Sequence, residues 1–117
     1  MTSHSDPHHQ SNEPISEQYR IVAKRWVDAD TAASLMEETK SAFLADRIND
    51  VIGFNLDMAF NKAELAAKAS PEYKDFCKQM VEHRGKANLL KVQLEYLRMK
   101  FSEWQSHEAN ARSERRL

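Results

Sequence analysis

"LLKVQLEYLRMKFSEW", Leu89 to Trp104, decides the fold. It carries three basic residues, Lys91, Arg98 and Lys100, yet places a large apolar side chain at nearly every helical contact position. Followed in both directions, the pattern is a near-unbroken heptad: Tyr73, Phe76, Met80, His83, Ala87, Leu90, Leu94, Leu97, Phe101, Trp104, Glu108, Ala111. Steps of three and four residues put these positions on one face of an α-helix. Leu89 and Tyr96 widen the stripe beyond a strict two-stranded seam, which suits a helix touching two neighbours. Gly85 is the one breaker before about Ser113. A helix over 71–113 would be roughly 65 Å long, too long for a compact globule of 117 residues. The sequence therefore predicts an all-α, elongated antiparallel helical hairpin of coiled-coil character.

The first arm of that hairpin precedes Gly53. Pro14 and Ser16 open it, with Glu17 suited to the positive end of the helix. Ile15, Tyr19, Val22, Trp26, Ala29, Ala33 and Met36 then mark one face. The three alanines at 29, 32 and 33 thin it, so that a neighbour can come close. Past Met36 the strict register meets Lys40, and Leu35, Ala42, Phe43, Ile48, Val51 and Ile52 continue an apolar side, so the face is expected to rotate. Asp28 and Asp30 compete for backbone donors, and Asp30 or Thr31 could cap a new helix. One long helix over 16–52, bent there, is favoured, and two helices are the alternative.

Gly53 is expected to end this helix. In "GFNLDMAF", residues 53–60, apolar residues alternate, but no second strand candidate exists to pair with them. The stretch reads as an apolar connector tucked over the end of the hairpin. Asn61 to Glu64, "NKAE", has the outline of a capping box for a short helix over 62–69. Ser70 as cap, Pro71 in the first turn and Glu72 beside it restart the chain in a new direction, so the short helix forms a corner. Residues 1–14, with two prolines and no large apolar residue beyond Met1, read as a disordered tail, leaving 15–117 as a single helical domain. His4, His8 and His9 in that tail lack the fixed geometry a metal site needs.

Composition bounds the function. Charged residues make up 30% of the chain, with 2 Gly and 3 Pro, a profile that favours helices over turn-rich β structure. No apolar run is long enough for a membrane span, and the start does not resemble a signal peptide. A soluble, cytoplasmic protein without membrane association is expected. Cys77, the one cysteine, excludes an internal disulfide and a cysteine-based zinc site. The net charge of −1 is uneven: residues 1–60 hold 5 Lys/Arg against 10 Asp/Glu, and residues 61–117 hold 12 against 8. Either an acidic half folds on a basic half, or the basic half faces an acidic partner.

Few residues suggest chemistry. His83 lies on the apolar seam and could act as a buried base or pH switch. The reading preferred for it is a core histidine satisfied by Asp46 or Asp50. Cys77 has Lys74 and Lys78 nearby, which could activate its thiol, but no partner base stands at a recognisable spacing. Gly85 either admits a crossing backbone or marks a bend. No catalytic residue, metal or cofactor is expected, and the chain reads as a non-enzyme. Arg84, Lys91 and Arg98 recur every seven residues beside the seam and could track a phosphate backbone, although Glu82, Glu95 and Glu103 interleave.

In an antiparallel hairpin residues 15–30 face residues 97–111. Tyr19, Val22 and Trp26 then meet Leu97, Phe101 and Trp104, and Trp26 can reach Trp104. Two helices cannot cover that much apolar surface, so this end is the expected interface of a homo-oligomer. The stretches "RIVAKRWVDADTAASLMEE", "NKAELAAKASPEY" and "KANLLKVQLEYLRMKFSEWQSHEANARSERRL" resemble small helical proteins of bacterial phages and prophages. The resemblance covers roughly residues 20–117 and brings no active site with it. It implies an accessory role near DNA replication or recombination. Two functions follow as expectations: a self-associating scaffold that binds another protein, or a nucleic-acid accessory protein using the basic stripe.

Overall fold

The computed structural model of this chain describes residues 14–116, so the expected disorder of residues 1–13 and the three histidines there lie outside the described residues. The expected all-α hairpin is what the chain forms. Helix α1 runs Ile15–Phe54, α2 runs Phe60–Ala69 and α3 runs Pro71–Arg116. Helices α1 and α3 pack antiparallel, and the chain divides into two compact units, one joining the segment up to Asp28 with Asn88 onward, the other spanning Ala29–Ala87.

The heptad of α3 is the buried face. Tyr73, Phe76, Met80, His83, Leu90, Leu94 and Phe101 are half-buried, while Ala87 and Leu97 are buried. Trp104 departs from the pattern, with half its surface in water. Helix α1 is continuous through Asp28–Thr31, so the two-helix alternative does not hold. Aspartates there lose little because the flanking turns are already packed, and local capping competes poorly with a helix already nucleated on both sides.

Past Met36 the α1 face shifts, as expected, although two of the residues assigned to it do not join it. Lys40 is half-buried in step with the stripe that began at Ile15, while Leu35 is 61% exposed and Ala42 is exposed. Phe43, Val51 and Ile52 are half-buried and Ile48 is buried, and the step of five from Phe43 to Ile48 carries the face round the helix.

In the unit of residues 29–87, small residues set the spacing. Ala33, Ala63, Ala67 and Ala87 are fully buried, and Ile48 joins Ala63 and Ala67 in a cluster flanked by Leu44, Val51, Ile52 and Met58. Phe43 stacks on Phe76 with ring centroids 4.5 Å apart, and the Arg47 guanidinium lies over the Phe43 ring at 5.5 Å. In the other unit Val22 and Leu97 are the buried pair of positions.

The ends of the elements correct three expectations. Gly53 lies inside α1, with no left-handed φ, and the helix closes at Phe54, where the Asn55 N–H donates to the carbonyls of Val51 and Ile52. Helix α2 starts earlier than its capping-box outline implied. Ala59 occupies the cap position with no side-chain hydrogen bond, and Asn61 is already helical. The connector is not tucked over the hairpin. Met58 packs on the alanine cluster, but Phe54, Leu56 and Phe60 are 94%, 82% and 59% exposed. The Ser70 corner is as expected: its Oγ accepts the Tyr73 N–H at 3.3 Å and donates to the Ala67 carbonyl at 2.6 Å.

Candidate interaction surface

Arg84, the first residue of the basic stripe, is used within its own unit. Its guanidinium donates to Asp30 at 2.7 Å, to Glu37 at 2.8 and 2.9 Å, and to Ser34 at 3.2 Å. Asp30, Ser34 and Glu37 follow one another at steps of four and three on α1, so one planar fork spans about two turns. The hydrogen bonds from Arg84 hold the Glu37 carboxyl below its ordinary value, and those carboxylates push Arg84 higher still. This Arg84 cross-tie escaped the sequence reading, although the 30–34–37 spacing opposite a cation was its signal.

Lys91 and Arg98 stand differently. Neither has an ion-pair partner among the described residues. Both line a shallow groove with Tyr19, Trp26, Leu94 and Glu95, and Arg98 also borders an apolar hollow formed by Ser16, Tyr19 and Phe101.

The residues expected to form one interface divide into two roles. Val22 and Leu97, 7% and 8% exposed, fill the seam between α1 and α3 and are not available to another chain. Tyr19 and Trp104 are exposed, and Trp26 and Phe101 are half-buried. Trp26 and Trp104 line different grooves: Trp26 sits beside Lys91 and Leu94, whereas Trp104 stacks on Phe101 at 5.8 Å and lines a hollow with Pro14 and Ile15. In an antiparallel pair Trp104 comes level with the first turn of α1, well before Trp26.

The larger uncovered apolar surface lies on the far side of α3. Leu89, Val92, Tyr96 and Met99 are 62%, 61%, 55% and 60% exposed. Their steps of three, four and three make a second heptad stripe. Leu89 and Tyr96 were legible as a widening of the seam. Val92 and Met99 complete them into a separate face, about 140° round the helix from the buried one at 100° per residue.

His83 is half-buried, but it makes no hydrogen bond to Asp46 or Asp50. Arg84 faces Asp30–Glu37, so in an antiparallel pair those aspartates are several turns away. Asp50 instead pairs with Arg47 at 2.7 Å. Cys77 is half-buried one turn after Tyr73, whose phenol is pushed above its usual range by withdrawal from water and then by Cys77. Gly85 has open space where a Cβ would stand, so no backbone crosses it. Among the described residues no group of His, Cys, Asp and Glu could hold a metal ion, and no helix is long and apolar enough to cross a membrane. Compared with known proteins, the chain matches no family model, no curated protein and no solved structure.

Proposed function

We infer that this chain is a non-enzymatic interaction protein that associates with copies of itself and so scaffolds a larger assembly. The observation that carries this reading is the outer stripe of α3, Leu89, Val92, Tyr96 and Met99, each more than half exposed. No large side chain of the hairpin is fully buried among the described residues. Full burial of a large apolar side chain is worth about 1.5–3 kcal/mol, and roughly half of that is still to be gained at each of the four. A hairpin with so thin a core and so regular an apolar outer face is stabilised by acquiring a neighbour. The exposed Tyr19 and Trp104 add to the apolar surface such a neighbour could cover. The test is the particle mass of the full chain by light scattering at micromolar concentration. A multiple of 13.6 kDa is expected, and a clean monomer would overturn the reading.

A second reading has its own observation. Lys91 and Arg98, without carboxylate partners, border Tyr19 and Trp26, a pairing of cations with aromatic faces that suits single-stranded nucleic acid. Arg84 has no part in it, being held by its own carboxylates. The phage-type resemblance, with its implied place near DNA replication or recombination, fits either reading. Binding of a single-stranded oligonucleotide that falls steeply with salt and weakens on Lys91→Glu would favour this second reading.

A further inference from the structure

The charges beside the outer stripe specify how two copies would sit. In heptad order Leu89 and Tyr96 hold the first core position, and Val92 and Met99 the second. Glu95 then borders the stripe on one edge and Lys100 on the other, five residues later. In a parallel pair of helices, a residue on the first edge reaches the residue five positions on along the opposite edge of its partner. Glu95 would thus meet Lys100 of the second copy, twice by symmetry, and Asn88 would meet Gln93 in the same way. In an antiparallel pair, like edges meet. Glu95 would approach Asn88 or Glu95, and Lys100 would approach Gln93 or Lys100, so no opposite charges are joined.

Neither Glu95 nor Lys100 has an ion-pair partner in its own chain among the described residues. Lys100 lies over the Tyr96 ring, its Nζ 5.5 Å from the centroid, which keeps the cation at the margin of the stripe. Both Glu95 and Lys100 are exposed, although Glu95 also borders the groove that Tyr19 and Trp26 of α1 line.

We propose that a second copy of the chain packs along Leu89, Val92, Tyr96 and Met99 in parallel and in register, with Glu95 and Lys100 paired across the contact. This rests on the self-association reading and adds its surface and direction. Parallel register brings every stripe residue opposite its own counterpart, which makes it testable by cross-linking. In a Cys77→Ala background, Val92→Cys should oxidise to a disulfide-linked dimer. Without oxidation its mass in solution should equal that of the parent chain. In the natural background, Glu95→Lys alone and Lys100→Glu alone should each weaken association about tenfold, and the two together should restore it.

A two-chain particle in which Val92→Cys fails to cross-link, while a mixture of Val92→Cys and Tyr96→Cys chains does, would show antiparallel seating. That result would overturn the proposal and leave self-association standing. Association unchanged by either charge reversal would remove the Glu95–Lys100 pairing, again without touching self-association. A monomer at every concentration would overturn both.

Discussion

Arg84 ties α3 to α1 through Asp30, Ser34 and Glu37, and the tie has a pH signature. Arg84 stabilises the charged form of Glu37, whose pKa is therefore lower in the folded chain than its ordinary value of 4.5. The unfolded chain takes up that proton first, so the contribution is fully present above about pH 4.5 and is lost as pH falls through the lowered folded value. Thermal melts of the parent and of Glu37→Gln should differ near neutrality, and the gap should close in acid. Glu17, lowered by its hydrogen bond with Arg20, is present in both proteins and cancels from the comparison. A gap that stayed constant from about pH 7 to about pH 3 would contradict this account. Gly85 makes the complementary case. It sits mid-helix with open space at its missing Cβ, so Gly85→Ala should raise stability by about 1 kcal/mol in denaturant titration. A loss of stability would show that a close approach there had been missed.

At the scale of elements, Ser70 separates α2 from α3, with Pro71 starting the new helix. Replacing Ser70 by Ala should cost about 1 kcal/mol, read as a lower denaturation midpoint, because the Tyr73 N–H loses its acceptor. An unchanged midpoint would mean that the corner is held by packing alone. This corner was legible in the sequence because Ser-Pro-Glu is a local signal. The buried face of α3 was legible because its heptad persists over many turns. The end of α1 was not. Gly53 looks like a terminator, but helical φ is open to glycine too, and nothing in its neighbours forces the left-handed form. Nor was the packing of the connector legible. Phe54, Leu56, Met58 and Phe60 are all apolar, yet Met58 packs on the alanine cluster while the other three are exposed. The expected interface was read as one patch because heptad spacing assigns a residue to a face without saying whether its own chain covers that face. Val22 and Leu97 turned out to be covered, and Val92 and Met99 uncovered.

For the whole molecule, the uneven charge follows the two compact units. Among the described residues, the unit of α1 up to Asp28 and α3 from Asn88 holds 9 Lys/Arg against 6 Asp/Glu, and the unit of Ala29–Ala87 holds 8 against 10. The basic unit also carries the outer stripe and the grooves lined by Tyr19, Trp26, Phe101 and Trp104. The proposed association and the proposed contact with a nucleic acid would thus fall on the same part of the chain. The buried face closes the hairpin, and the proposed self-association gives the outer face of α3 to a second chain. The most direct test of that claim is sedimentation equilibrium of the full chain beside Leu89→Glu and Tyr96→Glu, with helicity checked by circular dichroism. Both substitutions fall on exposed positions and should leave the helices intact. The account predicts an associated parent chain and two helical monomers of about one chain mass. A parent that sediments as a monomer, or variants that associate as tightly as the parent, would contradict it.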